Sequence, residues 1–152
     1  MFTRHYKVWP KDLPKTMTLP KTSLYTNLEV SALRYPDHNA IVFYDAPMTY
    51  ARLKREVDTM AGYLQAQGVK KGDRVLLYMQ NSPQYVISYY AILRADAVVI
   101  PVNPINRAAE LEHYISDTGS TVCMAGQELA GFIAPLIGET NLEQVIVASY
   151  NT

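Results

Sequence analysis

Residues 68–102 read GVKKGDRVLLYMQNSPQYVISYYAILRADAVVIPV, and the fold class turns on them. Gly72-Asp73 forms a turn. Arg74–Met79 then reads as a strand without alternation, because Val75, Leu76 and Leu77 are apolar in a row. A strand covered on both faces has that pattern, as in a parallel sheet flanked by helices. Ser82-Pro83 opens a helix with a capping hydroxyl and a proline at the first helical position. That helix runs through Leu93 and is apolar on most sides (Tyr85, Val86, Ile87, Tyr89, Tyr90, Ile92), which predicts a sandwiched element. Tyr85, Tyr89 and Tyr90 read mainly as core, with the lining of a pocket as the alternative. AVVIPV, residues 97–102, reads as a second buried strand.

Downstream, Asn106 is expected to cap a helix carrying Leu111, Tyr114 and Ile115. TVCMA (121–125) predicts a third strand. Leu129, Phe132, Ile133, Leu136 and Ile137 recur at helical spacing, with a break at Pro135, where an unbroken helix would lose ~3 kcal/mol. QVIVA (144–148) predicts a fourth strand. Upstream, Ser23 caps a helix carrying Leu24, Leu28 and Leu33 that ends at Tyr35-Pro36. AIVFYDAPMTY (40–50) gives two short strands about a turn at Asp45-Ala46. Thr49 caps a helix whose apolar stripe is Leu53, Val57, Met60, Ala61 and Leu64, and Gly68 ends it. The fold class is therefore α/β: an open, mostly parallel sheet flanked by helices, with a short N-terminal hairpin. Residues 1–22 are set apart as an extended basic arm, with Arg4, Lys7, Lys11, Lys15 and Lys21 against one acid, Asp12, and three prolines. Residues 23–152 form the α/β unit.

The chain has 152 residues, 14 cationic and 14 acidic. That balance argues against a nucleic-acid partner, whose binding would rest on phosphate neutralisation. Cys123 is the only cysteine, so neither an internal disulfide nor a thiolate metal cage forms. His5, His38 and His113 are far apart and read as surface residues. No apolar run resembles a signal peptide or approaches the ~20 residues of a membrane span, so the expected setting is cytoplasmic.

Asp117-Thr118-Gly119-Ser120 spells the tetrapeptide of aspartic proteases. Such a site needs a loop of a β fold and a second copy to share the proton. Helical spacing runs up to Asp117 instead, and Gly119 stands where a helix end wants positive φ. A dimeric protease through Asp117 stays a remote alternative. No Gly-rich phosphate loop, Walker lysine, Gly-x-Ser-x-Gly or metal cluster is present in the sequence.

Thr49-Tyr50, Leu53, Ala61, Leu64, Gly68-Val69, Gly72-Asp73-Arg74-Val75, Asn81-Ser82, Ala91, Pro101-Val102-Asn103-Pro104, Glu110-Leu111 and Asp117-Thr118-Gly119 occur in an order and spacing that closely resembles the N-terminal region of AMP-forming acyl-CoA synthetases. These belong to the adenylate-forming superfamily. LPKTSLYTNLEVSALRYPDHNAIVFY (19–44) resembles the bacterial long-chain fatty acid–CoA ligase branch, and the resemblance covers about residue 9 to the end. Arg52 stands where the family often has Glu, Asp96 where it usually has Gly, and Ala46 in place of a turn Gly.

The resemblance implies the N-terminal subdomain of the acyl-CoA synthetase fold, present as a fragment that stops before the ATP-binding motifs. The implied reaction of the whole enzyme belongs to fatty acid metabolism. A carboxylate attacks the α-phosphate of Mg-ATP to give acyl-adenylate and pyrophosphate, and CoA thiolate then displaces AMP. Fatty acid, ATP, Mg and CoA are the implied substrates and cofactors of that enzyme, none held by this fragment, and no catalytic residue is assigned in it. Asn81 and Asn103, at the carboxyl ends of strands with Gln80, Gly126 and Gln127, are the candidate border of the substrate cavity. Their other reading is turn and helix caps. Two expectations attach to the arm: homodimerisation, and peripheral contact with the inner face of the membrane. The competing function class is a standalone α/β binding or assembly module without catalysis.

Overall fold

The computed structural model describes residues 3–150. After a 3-10 turn at Arg4–Lys7 come α1 (Leu24–Arg34), β1 (Asn39–Phe43), β2 (Ala46–Thr49), α2 (Tyr50–Ala66), β3 (Arg74–Tyr78), α3 (Pro83–Arg94), β4 (Val98–Val102), α4 (Ala108–Thr118), β5 (Val122–Gly126), α5 (Ala130–Ile133) and β6 (Gln144–Ala148). The strands β3 to β6 form one parallel sheet in the order β4-β3-β5-β6, and β1 and β2 form a separate antiparallel hairpin.

The unalternated run in β3 is explained by two cores. Val75 and Leu77 face one side with Val57, Leu64, Ala91, Ile92 and Met124, while Leu76 and Tyr78 face the other with Leu111, Ile115, Cys123 and Ile133. Helices α1, α2 and α3 therefore cover one face, and α4 and α5 cover the other. All residues of β5 are buried for the same reason.

The start and stop signals act as their chemistry requires. The Thr49 hydroxyl accepts from the Arg52 N–H at 3.2 Å, and the Ser82 hydroxyl from the Tyr85 N–H at 3.1 Å. Gly68 and Gly119 take left-handed backbone at φ 92° and 63°. Asp96 takes φ 59°, a conformation that Asp tolerates better than most residues. The helical run after Leu129 breaks as expected, α5 giving way to a 3-10 turn at Ala134–Leu136 that contains Pro135.

Several expectations are corrected. In α1 the inward face is Tyr25, Leu28 and Ala32, and Leu24 and Leu33 are exposed. The hairpin turns at Tyr44-Asp45, both with positive φ (46° and 62°), one residue before the predicted position. Such a primed turn matches the twist of a hairpin. AVVIPV is not a strand buried on both faces: β4 is an edge strand, with Val98 and Pro101 exposed. An edge is where a strand tolerates a proline, which cannot donate to a ladder. The N-cap of α4 is Arg107 rather than Asn106. The Arg107 N–H donates to the Glu110 carboxylate at 3.0 Å, and this bond holds the Glu110 carboxyl below its usual range. Asn106 instead lends its carbonyl to the Tyr78 hydroxyl at 2.7 Å. Asp117 lies exposed in the last turn of α4, not in a β loop, which removes the protease reading.

A polar cluster ties three helices together. Asp58 of α2 accepts from the Tyr25 hydroxyl and from Lys54 Nζ, each at 2.6 Å, and lies 3.6 Å from Arg94 Nε of α3. Burial pushes the Asp58 carboxyl up, but hydrogen bonds from Lys54 and Tyr25, with the charges of Lys54 and Arg94, bring it net below the ordinary value. A carboxyl depressed in the folded state stabilises above its unfolded pKa and loses that contribution as pH falls through the folded one. Asp58→Asn should therefore lower the melting temperature modestly at neutral pH. The gap from the parent should close in acid, below the usual Asp range. Melting curves across pH check this; a gap that persists at low pH would mean that Asp58 acts through packing.

Candidate functional site

In the order β4-β3-β5-β6 the chain moves from β3 outward to β4 and then returns to the other side of β3 as β5. Helices α3 and α4 lie on opposite faces. The crevice between the carboxyl ends of β3 and β5 is therefore a topological switch point, the place where open α/β sheets seat ligands.

Asn81 and Asn103 are brought together. They line one pocket of about 240 Å³ beyond the ends of β3 and β4, with Gln80, Tyr85, Pro101 and Pro104 among its walls. Asn103 Oδ1 accepts from the Ile105 N–H at 3.1 Å, so its amide also shapes the turn that follows β4. The pocket's outer wall is fixed from below. The buried Tyr78 hydroxyl reaches the Asn106 carbonyl, and Arg107 Nη1 donates to the carbonyls of Pro104 and Asn106 at 3.0 and 2.9 Å. Burial raises the Tyr78 pKa, with nearby Arg107 partly opposing it. Tyr85 both packs on the core and faces this pocket, stacked on Tyr89 at 6.3 Å between ring centroids.

The switch crevice itself lies one strand over and is occupied by a residue that sequence reasoning missed. The Tyr150 hydroxyl donates to Glu128 Oε1 at 3.0 Å and also interacts with Gln80 and Ser82. Burial, then the Glu128 carboxylate, pushes its pKa up to about 12, so it stays a neutral donor. Gly126 makes room for it, since a Cβ there would strike the Tyr150 hydroxyl and the Glu128 carboxylate. Gly126-Gln127 stands at the carboxyl end of β5, as its sequence position implies, but no spacing in the sequence links it to Tyr150.

A larger cleft of about 620 Å³ opens between the hairpin, α2, the start of α3 and the β6 side of the sheet. Met48, Met60, Ile87, Met124 and Ile146 make it largely apolar, and Arg52 and Glu56 face each other at 3.7 Å within it. Gln84 Oε1, on the same wall, is buried without a hydrogen-bond partner. Cys123 offers no nucleophile to either cavity: it is wholly buried in β5, and burial pushes its thiol up to about 12. Among the described residues no group of three His, Cys, Asp or Glu side chains is placed to hold a metal ion.

The fold and these cavities define a doubly wound α/β unit of the kind that receives small ligands at its carboxyl strand ends. The chain belongs to the AMP-binding enzyme family, whose pattern matches residues 28–150. It is 39% identical over 114 residues to a long-chain-fatty-acid–CoA ligase of Bacillus subtilis (strain 168), covering 75% of this chain and 20% of that protein. It is 35% identical over 147 residues to the enzyme of the same name from Yersinia pestis, covering 93% and 26%. Among solved structures, a long-chain-fatty-acid–CoA ligase from Archaeoglobus fulgidus superposes with a TM-score of 0.80 at 27% identity, over 88% of this chain and 28% of that one. The chain thus spans about a quarter or less of the length of the curated relatives it matches.

Proposed function

We propose that this chain is the N-terminal part of a long-chain fatty acid–CoA ligase. Supporting this is the agreement of the family match with relatives of that name across 93% of the chain. In the reaction so assigned, a fatty carboxylate oxygen attacks the α-phosphorus of ATP and pyrophosphate leaves. The CoA thiolate then attacks the acyl carbon and AMP leaves. Charge develops on phosphate in the first step and requires pre-placed donors and a metal. The strand ends offer amides and a neutral phenol, and among the described residues no group of three His, Cys, Asp or Glu side chains is placed to hold a metal ion. The role assigned to this chain's residues is structural. It builds the sheet and the pocket wall of Asn81 and Asn103, which border the substrate cavity, while the rest of the enzyme supplies the chemistry with ATP, Mg and CoA.

ATP–pyrophosphate exchange with a long-chain fatty acid tests this directly. The full-length gene product should exchange and should form acyl-CoA, and the 152-residue chain should do neither. Exchange by the short chain would overturn the division of labour. A full-length product that is silent with every fatty acid would overturn the ligase assignment and favour a non-catalytic module.

A further inference from the structure

The polar pocket of Asn81 and Asn103 and the apolar cleft beside the hairpin lie on two sides of one short segment. Gln80, Asn81 and Tyr85 wall the pocket, and Pro83, Gln84 and Ile87 wall the cleft. Ser82 is buried between the two sets, its hydroxyl capping α3. Tyr150 stands on the cleft side, where its ring forms part of the wall. Its hydroxyl reaches across the carboxyl ends of β3 and β5, to Glu128 at 3.0 Å and to Gln80 and Ser82. One side chain therefore fills the seam through which the two cavities would join.

The closure has the construction of a latch. Tyr150 is half-buried at the rim of the core and Glu128 is exposed, so each can exchange its bond for one to water. Gly126 leaves just enough space between the strands. A Cβ there would strike the Tyr150 hydroxyl and the Glu128 carboxylate, both of them the far ends of side chains that can move. With the seam open, the joined space is polar at one end, where the amides of Asn81 and Asn103 lie, and apolar at the other, among Met48, Met60 and Ile146. The two charges in the cleft, Arg52 and Glu56, are paired with each other at 3.7 Å. A polar head on a long aliphatic tail matches this space, each buried methylene adding a factor of about four in affinity.

We propose that Tyr150 is a gating residue: held by Glu128 it closes the seam between cleft and pocket, and swung aside it lets the aliphatic tail of a fatty acid lie in the cleft with its carboxylate at the amides. The identity of the ligand rests on the ligase reading, and the latch rests on the geometry. A closed latch excludes the tail, so the apparent affinity is the intrinsic one reduced by the open fraction. A hydrogen bond to a carboxylate shifts such an equilibrium by on the order of 10- to 100-fold. The exposure of Glu128 places this bond at the low end of that range.

The full-length gene product carries the test, with cis-parinaric acid as the probe, a fluorescent long-chain fatty acid whose binding needs no catalysis. Tyr150→Phe keeps the ring and deletes the latch, and should bind the probe about tenfold more tightly than the parent. Gly126→Ala pushes the hydroxyl and the carboxylate away from the other side and should act in the same direction. Glu128→Gln, a weaker acceptor, should gain less. In acyl-CoA formation the Tyr150→Phe enzyme should show a fall in the palmitate KM that exceeds any change in kcat, because the latch acts before chemistry. A tyrosine that served packing alone would weaken binding when changed. Probe binding that is unchanged or weaker in both Tyr150→Phe and Gly126→Ala would overturn the gate, and Tyr150→Phe decides alone if Gly126→Ala does not fold. Tighter binding in a gene product whose parent forms no acyl-CoA with any acid would uphold the gate and overturn the ligase reading.

Discussion

Replacing Leu77 with alanine should lower the unfolding free energy by about 2–5 kcal/mol, the range for truncating a fully buried leucine. Leu77 is completely buried in β3, in register with Pro101 of β4 and Met124 of β5, and packs into the core shared with α2 and α3. Both flanking strands are held by ladder bonds, so the sheet has little room to collapse into the space left behind. The loss belongs toward the upper half of that range. For a domain of this size it corresponds to roughly 2–4 °C in melting temperature per kcal/mol. Leu77→Met, which keeps the volume, should cost less than about 1.5 kcal/mol. Thermal or denaturant unfolding of the two variants decides the matter. Equal small losses would mean that the face under α3 is loosely packed.

Tyr78→Phe should be the next largest change, about 1–1.5 kcal/mol for one buried hydrogen bond. The hydroxyl it deletes is wholly buried and holds the Asn106 carbonyl. The cost stays toward the low end because Arg107 donates to the same carbonyl and to that of Pro104. For that reason Tyr78→Phe combined with Arg107→Ala should lose more than the two single changes added together, since the second removal strands an acceptor that the first left satisfied. Additive losses in a double-mutant cycle would show that the two donors are not redundant. Hydrogen exchange should also rise at Ile105, whose N–H is held by Asn103 Oδ1 on the same turn.

Where local chemistry alone decides a feature, the sequence was a sufficient guide. Ser82-Pro83, Thr49 and Gly119 mark helix ends by what their own atoms can do, and the unalternated β3 announces its two covered faces. Where a feature depends on which element lies alongside, it was not. AVVIPV and TVCMA look alike as strings, yet one lies at an edge and the other at the centre, because strand order is set by crossovers and not by the strand's own residues. Asn106 and Arg107 competed for one cap, and the backbone of Arg107 won because Glu110 lies three residues on to receive its N–H. The position of Asn81 and Asn103 at the carboxyl ends of strands was legible, but their meeting in one pocket followed from the pairing of β3 with β4. Tyr150 was not, because its place depends on a partner, Glu128, on a different loop, and on the bare backbone at Gly126.

The two margins of the sheet are unequal. Pro101 interrupts the β4 margin, but Gln144–Ala148 offers five residues rich in β-branched side chains, with neither lysine nor proline among them and with Val147 half uncovered. Such a margin templates the addition of foreign strands, and proteins commonly guard against it with charge or kinks. Handled in isolation at high concentration, this polypeptide is set to stack through that side into ordered aggregates. A single lysine in place of Val147 would be the simplest gatekeeper for keeping it dispersed.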